Sequence, residues 1–151
     1  MADFTYRDVA KMLDHSLLQQ VLTDADLEAG CRVARAYDVA SVCIKPYAVR
    51  LAADVLKGSA VAVGTVVGFP HGGHVTPVKV AEAERAMGDG ARELDLVVNI
   101  GKVLGGDWKY VAEDVGAVVR AGHAGGALVK VIFENCFLAD THKETLCRVC
   151  G

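Results

Sequence analysis

Lys130 lies in the run Leu128-Val129-Lys130-Val131-Ile132-Phe133-Glu134, an ammonium inside an otherwise apolar segment. Burying such a group is costly unless it is paired or used. Two earlier runs repeat the pattern. Ser41-Val42-Cys43-Ile44-Lys45 carries a thiol and an amine, and Glu93-Leu94-Asp95-Leu96-Val97-Val98-Asn99 carries carboxylates. Side chains alternate along a strand, so Ser41, Cys43 and Lys45 share one face. By the same rule Glu93, Asp95, Val97 and Asn99 share a second face, and Leu128, Lys130, Ile132 and Glu134 a third. If these faces converge, a thiol, a carboxylate and an amine meet inside one sheet. Two readings are open for such a set: a structural ion pair, or acid–base and nucleophilic machinery.

The elements that would carry these runs alternate along the chain. A helix is predicted over residues 4–13, with Tyr6, Val9, Met12 and Leu13 at helical spacing. Thr23-Asp24-Ala25-Asp26 opens a second helix, reaching residue 37, in the manner of an N-cap followed by acids. Strands are predicted at residues 39–44, 60–69, 94–98 and 128–133. Between and after them, helices start at Pro46, span residues 77–88, are capped by Asp107, and are capped by Asp140. Residues 101–106 read as a turn region. Strands separated by amphipathic helices imply right-handed crossovers and a parallel sheet. Polar residues gather after the strands, at Lys45, His71, Asn99 and Glu134, the edge where parallel α/β folds place ligands. No glycine-rich phosphate turn follows the first predicted strand, so a barrel-type arrangement fits better than a doubly wound sheet. Four βα units preceded by N-terminal helices make half of a (β/α)8 barrel, which takes eight strands and roughly 200–250 residues.

The 151 residues suit one domain, with 52% hydrophobic and 23% charged residues. A net charge of −3 without a basic cluster argues against nucleic acid as a partner. The longest apolar run, residues 60–69, contains Gly64, Thr65 and Gly68 and is too short to span a bilayer, so no membrane association is expected. The start, Met1-Ala2-Asp3-Phe4, has no signal-peptide character, and a cytoplasmic protein is expected. Five cysteines outside a small secreted frame imply free thiols. Cys147-x-x-Cys150 could be drawn with Cys136 and His142 as a zinc site, but the segment reads as helix and no second CxxC pair exists. No metal is expected. His71 and His74 fit a polar loop, Trp108 and Tyr110 fit packing or capping, and His15 fits an anchoring role.

Five motifs now stand in one order. They are Leu13-Asp14-His15-Ser16-Leu17-Leu18, Val42-Cys43-Ile44-Lys45-Pro46, Thr65-Val66-Val67-Gly68-Phe69-Pro70, Glu93 to Gly101, and Leu128 to Glu134. Together they resemble deoxyribose-phosphate aldolase across nearly the whole chain. The resemblance implies a class I aldolase on a TIM-type barrel, with residues 1–151 as its N-terminal half. It implies reversible cleavage of 2-deoxy-D-ribose 5-phosphate to acetaldehyde and D-glyceraldehyde 3-phosphate through a lysine Schiff base, with no metal or other cofactor. Sugar phosphate and aldehydes would be its small-molecule partners, and a homo-oligomer is expected. Residue by residue, Asp95 matches the catalytic aspartate of the proton relay, while Cys43, Lys130 and Asp14 match the substrate pocket. The departure is large: the Schiff-base motif of the Lys-Thr-Ser-Thr-Gly type and the later Phe-Lys-Pro-Ala-Gly-Gly type are both absent from these residues. The resemblance therefore leaves two outcomes, part of a working aldolase or an inactive half-barrel serving assembly or binding. A third reading makes Lys130 itself the amine, although neighbouring carboxylates would keep it protonated.

Overall fold

The computed structural model describes residues 3–151, and the amino-terminal reading at Met1 and Ala2 lies outside the described residues. The elements follow in the order α1 (Tyr6–Ala10), β1 (Asp14–Leu17), α2 (Asp24–Tyr37), β2 (Ser41–Ile44), α3 (Val49–Val55) and β3 (Ala62–Val67). Then come α4 (Thr76–Asp89), β4 (Glu93–Val97), α5 (Ile100–Leu104), α6 (Trp108–Ala124), β5 (Leu128–Ile132) and α7 (Asp140–Cys150). Local sequence explains several boundaries. Thr23 caps α2 by accepting from the Asp26 amide, and the Asp26 carboxylate takes the Thr23 amide in return at 2.8 Å. Such a reciprocal cap is worth about 1 kcal/mol. Gly90, at φ 116°, ends α4 in a left-handed conformation that a side chain would disfavour.

Five strands are present where four were predicted, because Asp14–Leu17 is a strand between α1 and α2. Only Leu17 of its four residues is buried, so the segment shows neither alternation nor an apolar run. Only α1 therefore precedes the sheet. The first helix is also shorter than predicted, capped by Thr5 and ending at Ala10. Residues 101–106 are not a turn alone, since the Asn99 side chain accepts from the Lys102 amide and starts α5. Pro46 opens a three-residue 3-10 turn before α3 begins at Val49. Asp140 is the first residue of α7 rather than its cap; Ala139 holds the cap position and its amide donates to His142 Nδ1 at 3.2 Å.

All neighbouring strands are parallel, in the unreversed order β1-β2-β3-β4-β5. A doubly wound sheet reverses its strand order and so places helices on both faces. Without reversal, right-handed crossovers put every helix on one face. That helix-facing layer is the core. Val42, Ile44, Val63, Leu94, Leu96 and Val98 of the sheet pack on Leu27, Ala34, Val49, Ala83, Val111 and Val118 of the helices. The opposite face curves inward. β1 and β5 are the two edges, about 19 Å apart if four strand spacings lay flat. Yet Lys130 on β5 meets Asp14 on β1 at 2.7 Å, which side chains can reach only across a strongly curved sheet. The fold is α/β, part of a TIM-type barrel. No helix among the described residues is long and apolar enough to cross a membrane.

Candidate active site

The concave face gathers polar groups that the helix-facing layer would not tolerate. β1 supplies Asp14, β2 supplies Ser41 and Cys43, β4 supplies Glu93 and Asp95, and β5 supplies Lys130. Parallel register explains their meeting: Val66, Asp95 and Lys130 lie in one row across the sheet, and Ser16, Cys43, Gly64 and Glu93 in another. In-register residues point to the same side. Gly64 keeps its row open, since a Cβ there would lie 3.3 Å from the Val42 carbonyl and 3.4 Å from Glu93 Cβ.

Lys130 is the hub. Its ammonium donates to Asp14 Oδ2 at 2.7 Å, and it stands 3.1 Å from both Glu93 Oε2 and Asp95 Oδ1. The two longer contacts are charge contacts without hydrogen-bond alignment. Asp95 Oδ1 is consequently a buried acceptor with no hydrogen-bond partner among the described residues. Ser41, fully buried, donates to Asp14 Oδ1 at 2.6 Å and fixes the far end of the chain of contacts.

Three carboxylates surround one ammonium, and the electrostatics follow. Burial by itself would favour a neutral Lys130, but Asp14, Asp95 and Glu93 outweigh it and hold the ammonium charged well above the ordinary lysine range. The hydrogen bonds from Lys130 and Ser41 keep the Asp14 carboxyl below the usual carboxylate range. Cys43 is 5% exposed; burial first, and then the Asp95 charge, push its thiol far up, so it stays protonated. Chemically, the face offers a sheltered carboxylate with a free lone pair, a permanent cation beside it and a neutral thiol. It has no neutral amine.

Cys43, Asp95 and Lys130 thus converge as the strand periodicity indicated, and Asp14, which only the resemblance named, joins them from β1. Lys45 does not join them. Its ammonium donates to the Leu22 and Gln20 carbonyls at 2.9 and 3.3 Å, so it cannot offset the carboxylates around Lys130. Glu134 is also elsewhere: its backbone is left-handed at φ 57° and its carboxylate accepts from the Cys136 thiol at 3.5 Å. Asn99 is spent on capping α5. His71 and His74 sit exposed in the loop after β3. Sequence reasoning missed the part of Ser41 and Glu93 in this cluster, although both stood on the predicted faces. It also missed Lys79 and Asp114, a fully buried pair at 2.6 Å in the helix layer. Their signal was opposite charges at buried-stripe positions, Lys79 with Ala83 and Ala86, Asp114 with Val111 and Val118.

Comparison with known proteins places the chain in a family. The model of the DeoC/LacD family aldolases matches residues 8–144. A deoxyribose-phosphate aldolase of Rhodopirellula baltica is 55% identical over 150 residues, covering 99% of this chain and 62% of that protein. One from Thermococcus gammatolerans is 44% identical, covering 94% of this chain and 64% of its own length. The chain thus spans a little over three fifths of these curated relatives. Among solved structures, a tetrameric deoxyribose phosphate aldolase from Aeropyrum pernix superimposes with a TM-score of 0.87 at 28% identity, over 96% of this chain and 60% of that one. An aldolase called QR15 superimposes at 0.89 with 32% identity, over 95% and 63%. The family model's match runs through all five strands of the curved sheet, and with 55% identity over nearly its whole length the chain belongs to the DeoC/LacD family of aldolases.

Proposed function

We propose that residues 1–151 form the N-terminal, carboxylate-bearing part of a (β/α)8 class I aldolase. The whole barrel would cleave 2-deoxy-D-ribose 5-phosphate to acetaldehyde and D-glyceraldehyde 3-phosphate. The observation that carries this reading is the half-buried Asp95 carboxylate on the concave face, whose buried Oδ1 has no hydrogen-bond partner among the described residues and stands 3.1 Å from the Lys130 ammonium. A Schiff-base aldolase needs a group that takes a proton from the substrate hydroxyl while the carbon–carbon bond breaks, then returns one to the enamine carbon. Asp95 is placed for that relay. Lys130 orients Asp95 through their 3.1 Å charge contact, Asp14 and Ser41 hold Lys130, and Cys43 bounds the pocket as a neutral wall.

Lys130 is the wrong amine for the covalent step. A nucleophilic lysine must shed its proton, and three carboxylates favour the protonated form. The nucleophile is therefore assigned to barrel units beyond β5. Two apolar surfaces support that assignment: Tyr6, Val9, Leu13 and Val33 beside β1, and Val119, Val129, Val131 and Phe133 beside β5. Both are the sheet edges that further βα units would cover. The same surfaces suit the second reading, an assembly module that forms a homo-oligomer, and light scattering of the purified chain separates a monomer from such a species.

Borohydride trapping with acetaldehyde, read by intact mass and peptide mapping, tests the main proposal. The expected result is no reduced adduct on residues 1–151, and an adduct on a later lysine in a barrel-complete protein. An adduct on Lys130 in folded protein would reverse the assignment.

A further inference from the structure

Lys79 heads the fully buried side chains by size, and it is charged. Its ammonium donates to Asp114 Oδ2 at 2.6 Å and to the Val97 carbonyl at 3.0 Å, and Thr76 donates to the other Asp114 oxygen at 2.7 Å. A well-packed apolar pair of similar volume often stabilises a core as much as a buried ion pair or more. Stability alone therefore does not account for the charge. The second acceptor, Val97, does.

Val97 closes β4. The next amide, Val98, donates sideways to the Ile132 carbonyl of the β5 strand. Peptide groups alternate between the two neighbours of a strand, so the Val97 carbonyl points toward β3. There the ladder has stopped: β3 ends at Val67, and Gly68 turns the chain away at φ 68°. The Lys79 ammonium takes the place of the backbone donor that β3 no longer offers. Its stem packs under the same turn, where a Cβ on Gly68 would come within 3.0 Å of Lys79 Cε. One turn along α4, Glu82 accepts from the Gly68 amide at 2.7 Å. The loop then closes with the Gly72 amide donating to the Gly68 carbonyl at 2.8 Å, packed so tightly that a Cβ at Gly72 would fall 1.8 Å from the Val98 carbonyl.

We propose that Lys79 is a positioning residue for the candidate site: it substitutes for the missing ladder donor and so fixes the carboxyl-terminal end of β4, the strand from which Asp95 projects. Asp114 and Thr76 hold Lys79 in that posture. The inference rests on Asp95 being the proton-transfer group, yet its test needs no turnover. Lys79→Met keeps the stem and removes the donor, and the double variant Lys79→Met/Asp114→Leu removes the stranded charge as well.

Two readouts decide it. The first is iodoacetamide alkylation at pH 9, mapped residue by residue, with Cys31, a buried thiol of α2, as the reference. The expected outcome is a rise of about tenfold in the Cys43:Cys31 rate ratio as Asp95 drifts from the Cys43 thiol and no longer helps to hold it protonated. The second is amide exchange, expected to quicken about tenfold or more at residues 97–99 and 68–72 while the β2 amides keep their protection. An unchanged ratio in a folded variant, or a uniform gain in exchange throughout the sheet, overturns the proposal and leaves Lys79 as a stability element. Failure of both variants to fold overturns it too. If instead the ratio shifts but Asp95→Asn leaves a barrel-complete aldolase fully active, the positioning stands and the catalytic assignment of Asp95 falls.

Discussion

Replacing Lys130 by methionine isolates the charge at the hub of the concave face, because the stem is nearly kept and the ammonium is lost. The variant loses the 2.7 Å hydrogen bond to Asp14 and two 3.1 Å charge contacts, and it leaves three carboxylates facing one another. Removing one partner from a fully buried charge set costs about 3–5 kcal/mol. Here the Lys130 and Asp14 side chains are 34% and 44% exposed, and water screens them. The expected loss at pH 7 is accordingly about 1–3 kcal/mol, or a Tm lower by roughly 2–12 °C for a chain of this size. The pH dependence carries the sharper signature. In the parent protein Asp14 is depressed in the folded state, so its contribution is present above the ordinary aspartate range and is lost as pH falls through its folded value. Lys130 is raised, so its contribution is present below the ordinary lysine range and is lost only as pH rises through its folded value. In the variant the three carboxylates repel one another, and acid relieves the repulsion by protonating them. The stability gap between parent and variant should therefore be widest near neutrality and shrink toward pH 4. Urea unfolding at pH 7, 5.5 and 4 measures it. A gap of constant size across that range would mean that packing, not charge, links these strands, and a variant more stable than the parent at pH 7 would refute the account outright.

Further expectations follow from the same geometry. Asp95→Asn should leave the fold intact and slow turnover of a barrel-complete protein by roughly 10²–10⁴-fold, and near-normal turnover would remove Asp95 from the mechanism. Native thiol counting should find three fast cysteines, Cys136, Cys147 and Cys150, and two slow ones. Burial, with Glu28 adding to it, pushes the Cys31 thiol up to about 11, and burial with Asp95 raises Cys43 further, so rapid labelling of either would contradict the packing. Gly72→Ala meets both a left-handed backbone at φ 65° and a 1.8 Å clash with the Val98 carbonyl, so a loss above about 3 kcal/mol is expected by thermal unfolding. Gly73→Ala, with open space around it, serves as the control and should stay within about 0.5 kcal/mol of the parent.

The sequence by itself determined the parallel α/β class, because four strands are nearly continuous apolar runs separated by amphipathic helices, and five motifs in order carried the resemblance to the family. It also placed Cys43, Asp95 and Lys130 on one side of their strands, since a period of two leaves no freedom over which residues share a face. The same periodicity was silent on Asp14–Leu17, an edge strand with one buried residue. Only the tertiary structure decided how the faces meet. Curvature brings β1 and β5 together across the inside, which makes Asp14 a partner of Lys130, while the neighbouring strand β4 adds Glu93 and the left-handed turn at Glu134 takes that carboxylate away. Curvature is a sum of small twists over five strands, and no local pattern records it. Tertiary structure alone also paired Lys79 with Asp114, 35 residues apart on adjacent helices. Each looks like an error on its own buried stripe, and each is explained only by the other and by a strand end that has run out of neighbours.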